Sequence, residues 1–406
     1  MIYLDAAATT PVRREVLEAM WPYLTGEFGN ASSHHELGAR AKDALEDARA
    51  SVASALGCRL SEVVFTSGGT ESDNLAVKGL VLPMIAGATP GVAADTAPVH
   101  VAVSSIEHVA VLESARYLQR WHGVDVTELP VNSGGLVSLE ELDAHLSAKS
   151  AAGYSKGLVS IMYANNEVGT VQDISALSAV AHHYGALFHT DAVQTAGWLS
   201  LDVSQLGVDA LSISGHKLGA PKGCGILFVS RAATLEPLMS GGGQEGGLRS
   251  GTENVANAVG IATALTLAET EREASSRRMT ELRNGFLSRV RELVPSVVLT
   301  GLEPGEGKRL PNNASLIFPG FNGESVLLEL ERRGVICSSG SACAAGSTDP
   351  SHVLIAMGIS EDDARTAVRF TLPANMGEEE LERAAIALRE AHDVLSAYRG
   401  RQIAIN

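Results

Sequence analysis

Cysteine is scarce in this chain of 406 residues, which has it only at positions 58, 224, 337 and 343. Four thiols are too few for a disulfide framework, and no two of them have the CxxC spacing of a structural zinc site. The HExxH motif of zinc enzymes is absent as well. We therefore predict no metal site and a reducing compartment, the cytoplasm.

Positive charge is the second shortage. Lysine and arginine number 31 against 47 aspartates and glutamates, a net charge of −16, which argues against general attraction to nucleic acid or anionic membranes. Glycine and proline interrupt the apolar stretches before they reach the length of a membrane span. The N-terminal MIYLD lacks the basic region that begins a signal peptide. We expect no membrane partner and no direct nucleic-acid partner.

Apolar, β-branched runs alternate with amphipathic helical patterns through the first two-thirds of the chain. This alternation predicts an α/β fold in which helices cover a mostly parallel sheet. Helices are predicted at 72–82 and 174–184. The predicted strands are 62–66, 99–104, 158–163, 186–190, 210–214 and 225–229.

The pattern changes beyond residue 254, where a long charged helix is predicted up to residue 293. A mixed segment with strands at 313–318 and 367–371 follows. We place a domain boundary near residue 262. The predicted division is a large domain at 14–261 and a smaller α+β domain made of 1–13 and 262–406.

A turn of small residues, Ser67-Gly68-Gly69-Thr70, lies between a predicted strand and a predicted helix. Free amide groups and the positive end of the helix would face a ligand there, which is the outline of a phosphate site. Such a turn is more often only a turn, so it needs support from other residues. The run GGGQEG at 241–246 matches GxGxxG, but no predicted strand precedes it, and we exclude a dinucleotide fingerprint.

Lys217 and Asp191 each come at or just after the end of a predicted strand. Strand ends open into the crevice where open α/β sheets bind ligands. A partly desolvated amine there can form an imine with an aldehyde, although a lysine considered alone is more often a solvated loop residue. A phosphate turn, a carboxylate and an amine together match the needs of pyridoxal 5'-phosphate, whose phosphate, ring nitrogen and aldehyde each require a partner.

The segment 337–352 reads CSSGSACAAGSTDPSH and contains no large apolar residue. Such a composition cannot pack into a core, and it predicts a mobile loop. Cys337 adjoins the apolar pair Val335 and Ile336, which predicts a structural role. Cys343 lies in the middle of the segment and is the predicted reactive thiol.

Ordered motifs along nearly the whole chain resemble the cysteine desulfurases of the NifS/IscS class, which belong to the class V aminotransferases. SSGSAC is the motif that discriminates this class within the wider family. The resemblance implies a homodimeric enzyme of fold type I that depends on pyridoxal 5'-phosphate. The matching motifs are YLDAAATTPV, GNASSHHELG, VFTSGGTESDNLA, SSIEH, YANNEVGTVQDI, HTDAVQ, SGHKLGAPKGCG, GGGQEGGLRSGTEN, SSGSAC and VRFTL.

The resemblance also implies roles for individual residues. Lys217 would form the imine with the cofactor, Asp191 would pair with its ring nitrogen, and His108 would stack on its ring and take part in catalysis. His108 also fits a cap on the following helix, and Thr70 fits an ordinary N-cap residue. The other implied cofactor contacts are Gly69, Thr70, Asn166, Gln194, Ser214, His216 and, from the second subunit, Thr252.

By the same resemblance the substrate is L-cysteine, with its carboxylate on Arg369 and with Asn166 and Asn30 nearby. A guanidinium fork fits a carboxylate in two parallel hydrogen bonds. Cys343, as thiolate, would attack the substrate sulfur, carry it as a persulfide and pass it to an acceptor protein for iron–sulfur cluster assembly or thiolation. Two alternatives stay open, namely a selenocysteine lyase or other β-eliminating enzyme of the family, and a non-catalytic sulfur-relay scaffold.

Four positions depart from the pattern of this class. Ala31 and Gly246 stand where proline and arginine are frequent, and Pro373-Ala374 stands where a Gly-Arg pair is frequent. None of them is an implied cofactor residue, so we expect them to affect substrate approach and partner docking.

Overall fold

The computed structural model describes residues 1–85, 98–305, 308–339 and 349–405, with side chains up to residue 398. Cys343 therefore lies outside the described residues. The described strands are β1 (Ile2–Tyr3), β2 (Val63–Thr66), β3 (Val99–Ser104), β4 (Asp125–Leu129), β5 (Lys156–Ser160), β6 (Leu187–Asp191), β7 (Ala210–Ser214), β8 (Gly225–Val229), β9 (Val298–Leu299), β10 (Asn313–Ile317), β11 (Val335–Ile336) and β12 (Ala367–Thr371).

Helices surround these strands along the described chain. They are α1 (Arg14–Leu24), α2 (Glu36–Leu56), α3 (Gly69–Ile85), α4 (Val109–His122), α5 (Leu139–Ala151), α6 (Ile174–His183), α7 (Val203–Leu206), α8 (Val255–Leu293), α9 (Gly323–Arg332), α10 (His352–Ala356), α11 (Glu361–Ala364) and α12 (Glu378–Ile405). None of the helices in the described parts is both long and apolar enough to cross a membrane.

The largest sheet has seven strands in the order β2-β8-β7-β6-β5-β3-β4. Neighbouring strands from β7 to β4 pair in parallel, and only β8 runs antiparallel to its neighbours β7 and β2. Every residue of β3, β7 and β8 is buried. Continuous apolar runs are typical of strands covered on both faces, and the predicted α/β class with a mostly parallel sheet is confirmed.

Predicted and observed elements agree best where the apolar run is long. The strands predicted at 99–104, 210–214 and 225–229 coincide with β3, β7 and β8. Strand β4 was not predicted, because it lies at the sheet edge and residues 125–128 are only partly buried or exposed. Helix α3 begins at Gly69, before the predicted start at residue 72, so the helix starts inside the turn of small residues.

Helix α8 contributes to two apolar cores. Ile261 and Leu265 belong to the core that also contains residues of α1 and α2, whereas Phe286 and Leu287 join a second core with β10, β12 and α12. The predicted boundary at residue 262 falls inside this helix. The division into two domains stays a prediction.

The N-terminal residues contact both the small sheets and the end of the large sheet. Strand β1 pairs in parallel with β11, and the next residues hydrogen-bond to β12, which forms a small antiparallel sheet with β10 and β9. The Leu4 amide donates to the Ile336 carbonyl at 2.7 Å, and the Thr10 amide donates to the His216 carbonyl at 2.9 Å. Residues 4–10 thus reach the end of the large sheet.

Candidate active site

A cavity of about 550 Å³ lies at the carboxyl ends of the parallel strands. Asp191 is the last residue of β6, Ser214 is the last residue of β7, and Lys217 ends the short turn of 3-10 helix after β7. Ligands of open α/β sheets bind at this edge. The predicted site residues that line the cavity are Gly69, Thr70, His108, Asn166, Asp191, Gln194, Ser214, His216, Lys217 and Arg369.

The turn before α3 forms one wall of the cavity. A β-carbon on Gly69 would lie 2.9 Å from Cγ2 of Val193 and 3.4 Å from Cβ of Ser214, so the close approach of this turn requires glycine. The first amide groups of α3 have no partners within the helix itself. A helix start made of small residues beside Ser214 therefore has the form of a phosphate cradle.

Two ion pairs connect the glycine-rich segment 241–251 to helices α2 and α3. Arg249 Nε donates to Glu71 Oε1 at 2.8 Å. Arg49 donates through Nη1 and Nη2 to the two carboxylate oxygens of Glu245 at 2.8 and 3.1 Å, and the Phe65 amide donates to the same carboxylate at 3.0 Å. The Glu245 side chain is only 4% exposed. The sequence did not predict either pair.

Arg49→Ala should lower the free energy of unfolding by about 3 kcal/mol or more, because the Glu245 carboxylate would stay buried without its cation. The matched control is Arg40→Ala on the same helix, where the arginine side chain is 51% exposed and pairs with Glu27 at 2.8 Å. That change should cost less than about 1 kcal/mol. Urea unfolding followed by circular dichroism measures both variants. Equal losses would contradict a special role for the buried pair.

Lys217 reaches from the end of β7 to the N-terminal segment. Its Nζ donates to the carbonyl oxygens of Ala7 and Ala8, the latter at 2.7 Å. Gln194 Nε2 also donates to the Ala7 carbonyl, at 3.1 Å. The amine is half-buried and faces the cavity at a strand end, as the sequence predicted.

Asp191 is buried at the floor of the cavity, where its Oδ1 accepts a hydrogen bond from the Val193 amide at 2.8 Å. Burial raises the pKa of this carboxyl above its usual value, and the nearby His108 and Lys217 oppose that rise. A buried carboxylate beside two groups that can carry positive charge fits the partner that a pyridine nitrogen requires.

His108 and His216 line the cavity. His108 Nδ1 accepts from the Ala110 amide at 3.2 Å and so caps α4. The predicted cap and the predicted cavity position of His108 therefore occur together. His216 Nδ1 lies 3.1 Å from Thr9 Oγ1. Burial and the charges of Lys217 and Lys222 lower the His216 pKa to about 4.

Arg369 lies on β12 with its side chain 3% exposed. Its Nη2 donates to Asp5 Oδ1 at 3.0 Å and its Nη1 donates to the Asn166 carbonyl at 3.1 Å. Its buried Nε has no hydrogen-bond partner among the described residues. A fixed guanidinium with a free N–H group at a cavity wall fits a carboxylate ligand.

Two predicted site residues among those that the structure describes lie outside this cavity. Asn30 is exposed, and its Oδ1 accepts from the Ser32 amide at 2.9 Å. Thr252 lines a neighbouring cavity together with Ser67. The roles of both stay predictions, and Cys343 lies outside the described residues. Burial raises the pKa of the Cys337 thiol, which is consistent with the structural role predicted for it.

The sequence missed three buried carboxyl groups around the cavity, those of Asp73, Glu107 and Glu167. Glu107 Oε1 accepts from Ser104 Oγ at 2.6 Å and from the Met162 amide at 2.8 Å, and burial raises its pKa to about 8. In a sequence, a carboxylate is normally interpreted as an exposed residue. The only local signal was that Asp73, Glu107 and Glu167 lie inside the motifs VFTSGGTESDNLA, SSIEH and YANNEVGTVQDI.

The cavity residues fit pyridoxal 5'-phosphate. Lys217 offers an amine, Asp191 a partner for the ring nitrogen, and Arg369 a cation with a buried, unpartnered N–H group. The space that a β-carbon on Gly69 would fill leaves the start of α3 open toward Ser214. The aldehyde, ring nitrogen and phosphate of the cofactor would thus each have a complementary group, and Arg369 would be left for a carboxylate of the substrate.

Comparison with known proteins agrees with this geometry. The family model described as aminotransferase class V matches residues 2–384. The cysteine desulfurase IscS of Dictyoglomus turgidum is 43% identical over 380 residues, which cover 94% of this chain and 91% of that protein. The IscS-like cysteine desulfurase of Mycobacterium tuberculosis is 43% identical over 374 residues, which cover 92% of this chain and 91% of that protein.

Solved structures give the same result. A NifS-like protein superimposes with a TM-score of 0.86 at 34% identity, covering 97% of this chain and 100% of its own. The structure of SspA in complex with cysteine superimposes with a TM-score of 0.76 at 35% identity, covering 92% of this chain and 99% of its own. The predicted fold type is confirmed. This chain therefore belongs to the class V aminotransferases, and pyridoxal 5'-phosphate is its cofactor.

Proposed function

We propose that this chain is a cysteine desulfurase that converts L-cysteine to L-alanine and transfers the sulfur. The observation that carries the proposal is the single cavity in which Lys217, Asp191 and Arg369 meet, because it unites an amine, a partner for the cofactor and a binding group for a carboxylate. The relatives named cysteine desulfurase and the cysteine complex of SspA support the choice of substrate.

The protein residues of the cavity would hold the cofactor at three points. Asp191 would pair with its ring nitrogen, Gln194 would bond its phenolic oxygen, and His108 would lie against its ring. When bound, the cofactor supplies an electron sink for bond cleavage in the substrate. The groups that hold its phosphate are Gly69, Thr70, Ser214, His216 and, from the partner subunit of a homodimer, Thr252.

Lys217 and Arg369 act on the substrate. Arg369 binds the carboxylate of L-cysteine, with Asn166 beside it and Asn30 as a further contact. The amine of Lys217 removes the proton from the substrate Cα. A positioned base of this kind contributes about 10²–10⁴ in rate.

Cys343 is the proposed nucleophile. Its thiolate attacks the substrate sulfur, so that an S–S bond forms while the bond from sulfur to Cβ breaks. The electron pair of the broken bond goes to Cβ, which takes up a proton before alanine leaves. Both described flanks of the segment 340–348 are tied to the site. The Ser338 amide and carbonyl pair with Arg369 at 3.2 and 2.6 Å, and Ser351 Oγ donates to Glu167 at 2.5 Å.

The persulfide sulfur then passes to an acceptor protein for iron–sulfur cluster assembly or thiolation. The relatives named cysteine desulfurase support the release of sulfur from cysteine, and the acceptor is part of the proposal. Because the nucleophile must be a reduced thiol, the proposal includes a reducing compartment, the cytoplasm.

Cofactor-loaded protein should release sulfide and alanine in equal amounts from L-cysteine in the presence of a reductant. Both products are quantified in the same reaction. Release of selenide from selenocysteine without release of sulfide from cysteine would instead identify a selenocysteine lyase. Cofactor binding without any turnover would identify a sulfur-relay scaffold.

Cys343→Ala should lower sulfide release by about 100-fold or more, because no other thiol is proposed to accept the sulfur. Cys58→Ala is the matched control, since Cys58 is half-buried and burial raises its pKa to about 11. This variant should keep wild-type activity. Both variants should keep the absorbance of the bound cofactor, and full activity of Cys343→Ala would overturn the assignment of the nucleophile.

A further inference from the structure

Asp73 is a buried carboxyl group near the cofactor partner Asp191. His189 and Asp191 are two residues apart on β6, so their side chains share one face of the sheet. Helix α3 packs against β6 and places Asp73 there, with its Oδ1 3.8 Å from His189 Nε2. Asp73 is 1% exposed and lines the same cavity as Asp191.

Buried polar groups surround His189. Ser160 Oγ lies 2.8 Å from His189 Nδ1, and Ser212 Oγ lies 3.0 Å from His189 Nε2. Ser212 stands opposite Asp191 in the parallel pair of β6 and β7. Burial lowers the pKa of His189 to about 3, so its ring is neutral and supplies no positive charge.

Asp73 and Asp191 together can carry only one negative charge at low cost, because two buried carboxylates repel each other. His108 and Lys217 favour the charged form of Asp191. The charged groups that act on Asp73 are the carboxyls of Asp191 and Glu107, and both disfavour its ionisation. Its Oδ1 also accepts no hydrogen bond from any residue that the structure describes. Asp73 is therefore the protonated carboxyl group of the two.

We propose that Asp73 is a positioning residue that works as a neutral carboxylic acid and keeps the single negative charge of the pair on Asp191. It acts through Asp191 and has no contact of its own with the substrate. The inference rests on the proposed function in one respect, namely that Asp191 faces the ring nitrogen of the cofactor.

Asparagine is a neutral mimic of a protonated aspartic acid, whereas leucine has a similar size and no polar group. In Asp73→Asn, the dissociation constant of pyridoxal 5'-phosphate should stay within about 3-fold of wild type, and its pH profile should shift by less than about 0.3 unit, since no charge is removed. In Asp73→Leu, the dissociation constant should rise by about tenfold or more, because an apolar side chain in place of the carboxyl group disfavours the charged form of Asp191. Titration of apoenzyme with the cofactor, followed by absorbance from pH 6 to 9, measures both.

A shift of about one pH unit or more in Asp73→Asn would overturn the inference, because it would mean that a buried negative charge had been removed. Wild-type affinity in Asp73→Leu would overturn it as well. If Asp73→Leu fails to fold by circular dichroism, the comparison of Asp73→Asn with wild type still decides. Asp47→Asn, at an exposed position on α2, is the matched control.

These titrations contain no L-cysteine, so they do not depend on the desulfurase reaction. Wild-type protein that binds the cofactor but releases no alanine would overturn the proposed function and leave the role of Asp73 to be decided by the two variants.

Discussion

Lys217→Ala is expected to lower turnover of L-cysteine by about 10³-fold or more, because the positioned base that removes the Cα proton is lost. The same change removes the amine that attaches the cofactor. Treatment of the loaded enzyme with borohydride should fix the cofactor covalently to the Lys217 peptide in wild type and leave the variant unlabelled. Assays of alanine formation and mass spectrometry of the peptides measure the two effects.

Lys217→Arg separates the chemistry of the amine from its charge. Arginine keeps a cation beside Asp191 but stays protonated, so it should lose as much activity as alanine. Lys42→Ala, on the exposed face of α2, should retain wild-type activity. Substantial turnover in Lys217→Arg would mean that another group removes the proton.

The sequence predicted the central part of the site because its signals are local. Asp191 and Lys217 each follow an apolar run that is long enough to identify a buried strand, and the ends of parallel strands meet at one edge of a sheet. The turn before α3 could be placed for the same reason. In each case one short segment carries both the structural and the chemical signal.

The buried charges could not be predicted, because their partners are distant in the chain. Arg49 meets Glu245 across 196 positions, and no local pattern distinguishes either residue from a surface charge. Asp73 is buried because α3 carries it onto the face of β6, which depends on the packing of the whole sheet. Local sequence patterns therefore indicate the residues at the strand ends, whereas the buried residues around them depend on contacts between distant segments.

The N-terminal segment shows the same limit. The DAAATT motif was matched only as part of a family resemblance, yet its residues touch both ends of the site. Asp5 bonds Arg369, and the carbonyl groups of Ala7 and Ala8 accept from Lys217. The pairing of β1 with β11 fixes this position, and two-residue strands give too little pattern for prediction.

Arg369→Gln should raise the KM for L-cysteine by about 100-fold and change kcat much less, since it removes hydrogen bonds to the substrate carboxylate that form before the reaction. Steady-state kinetics at saturating cofactor measure the two constants separately. Arg365→Gln is the control, because the Arg365 side chain is 44% exposed and pairs with Glu361 at the surface. It should leave both constants unchanged.

The partner Asp5 allows binding to be separated from stability. Arg369→Gln leaves the Asp5 carboxylate, whose side chain is 16% exposed, without its cation, so the free energy of unfolding should fall by about 2–3 kcal/mol. Adding Asp5→Asn removes the unpaired charge and should restore most of that loss. The double variant should nevertheless keep the high KM, because the cation for the substrate is still missing. Recovery of KM together with stability would show that Arg369 supports the fold and does not bind the carboxylate.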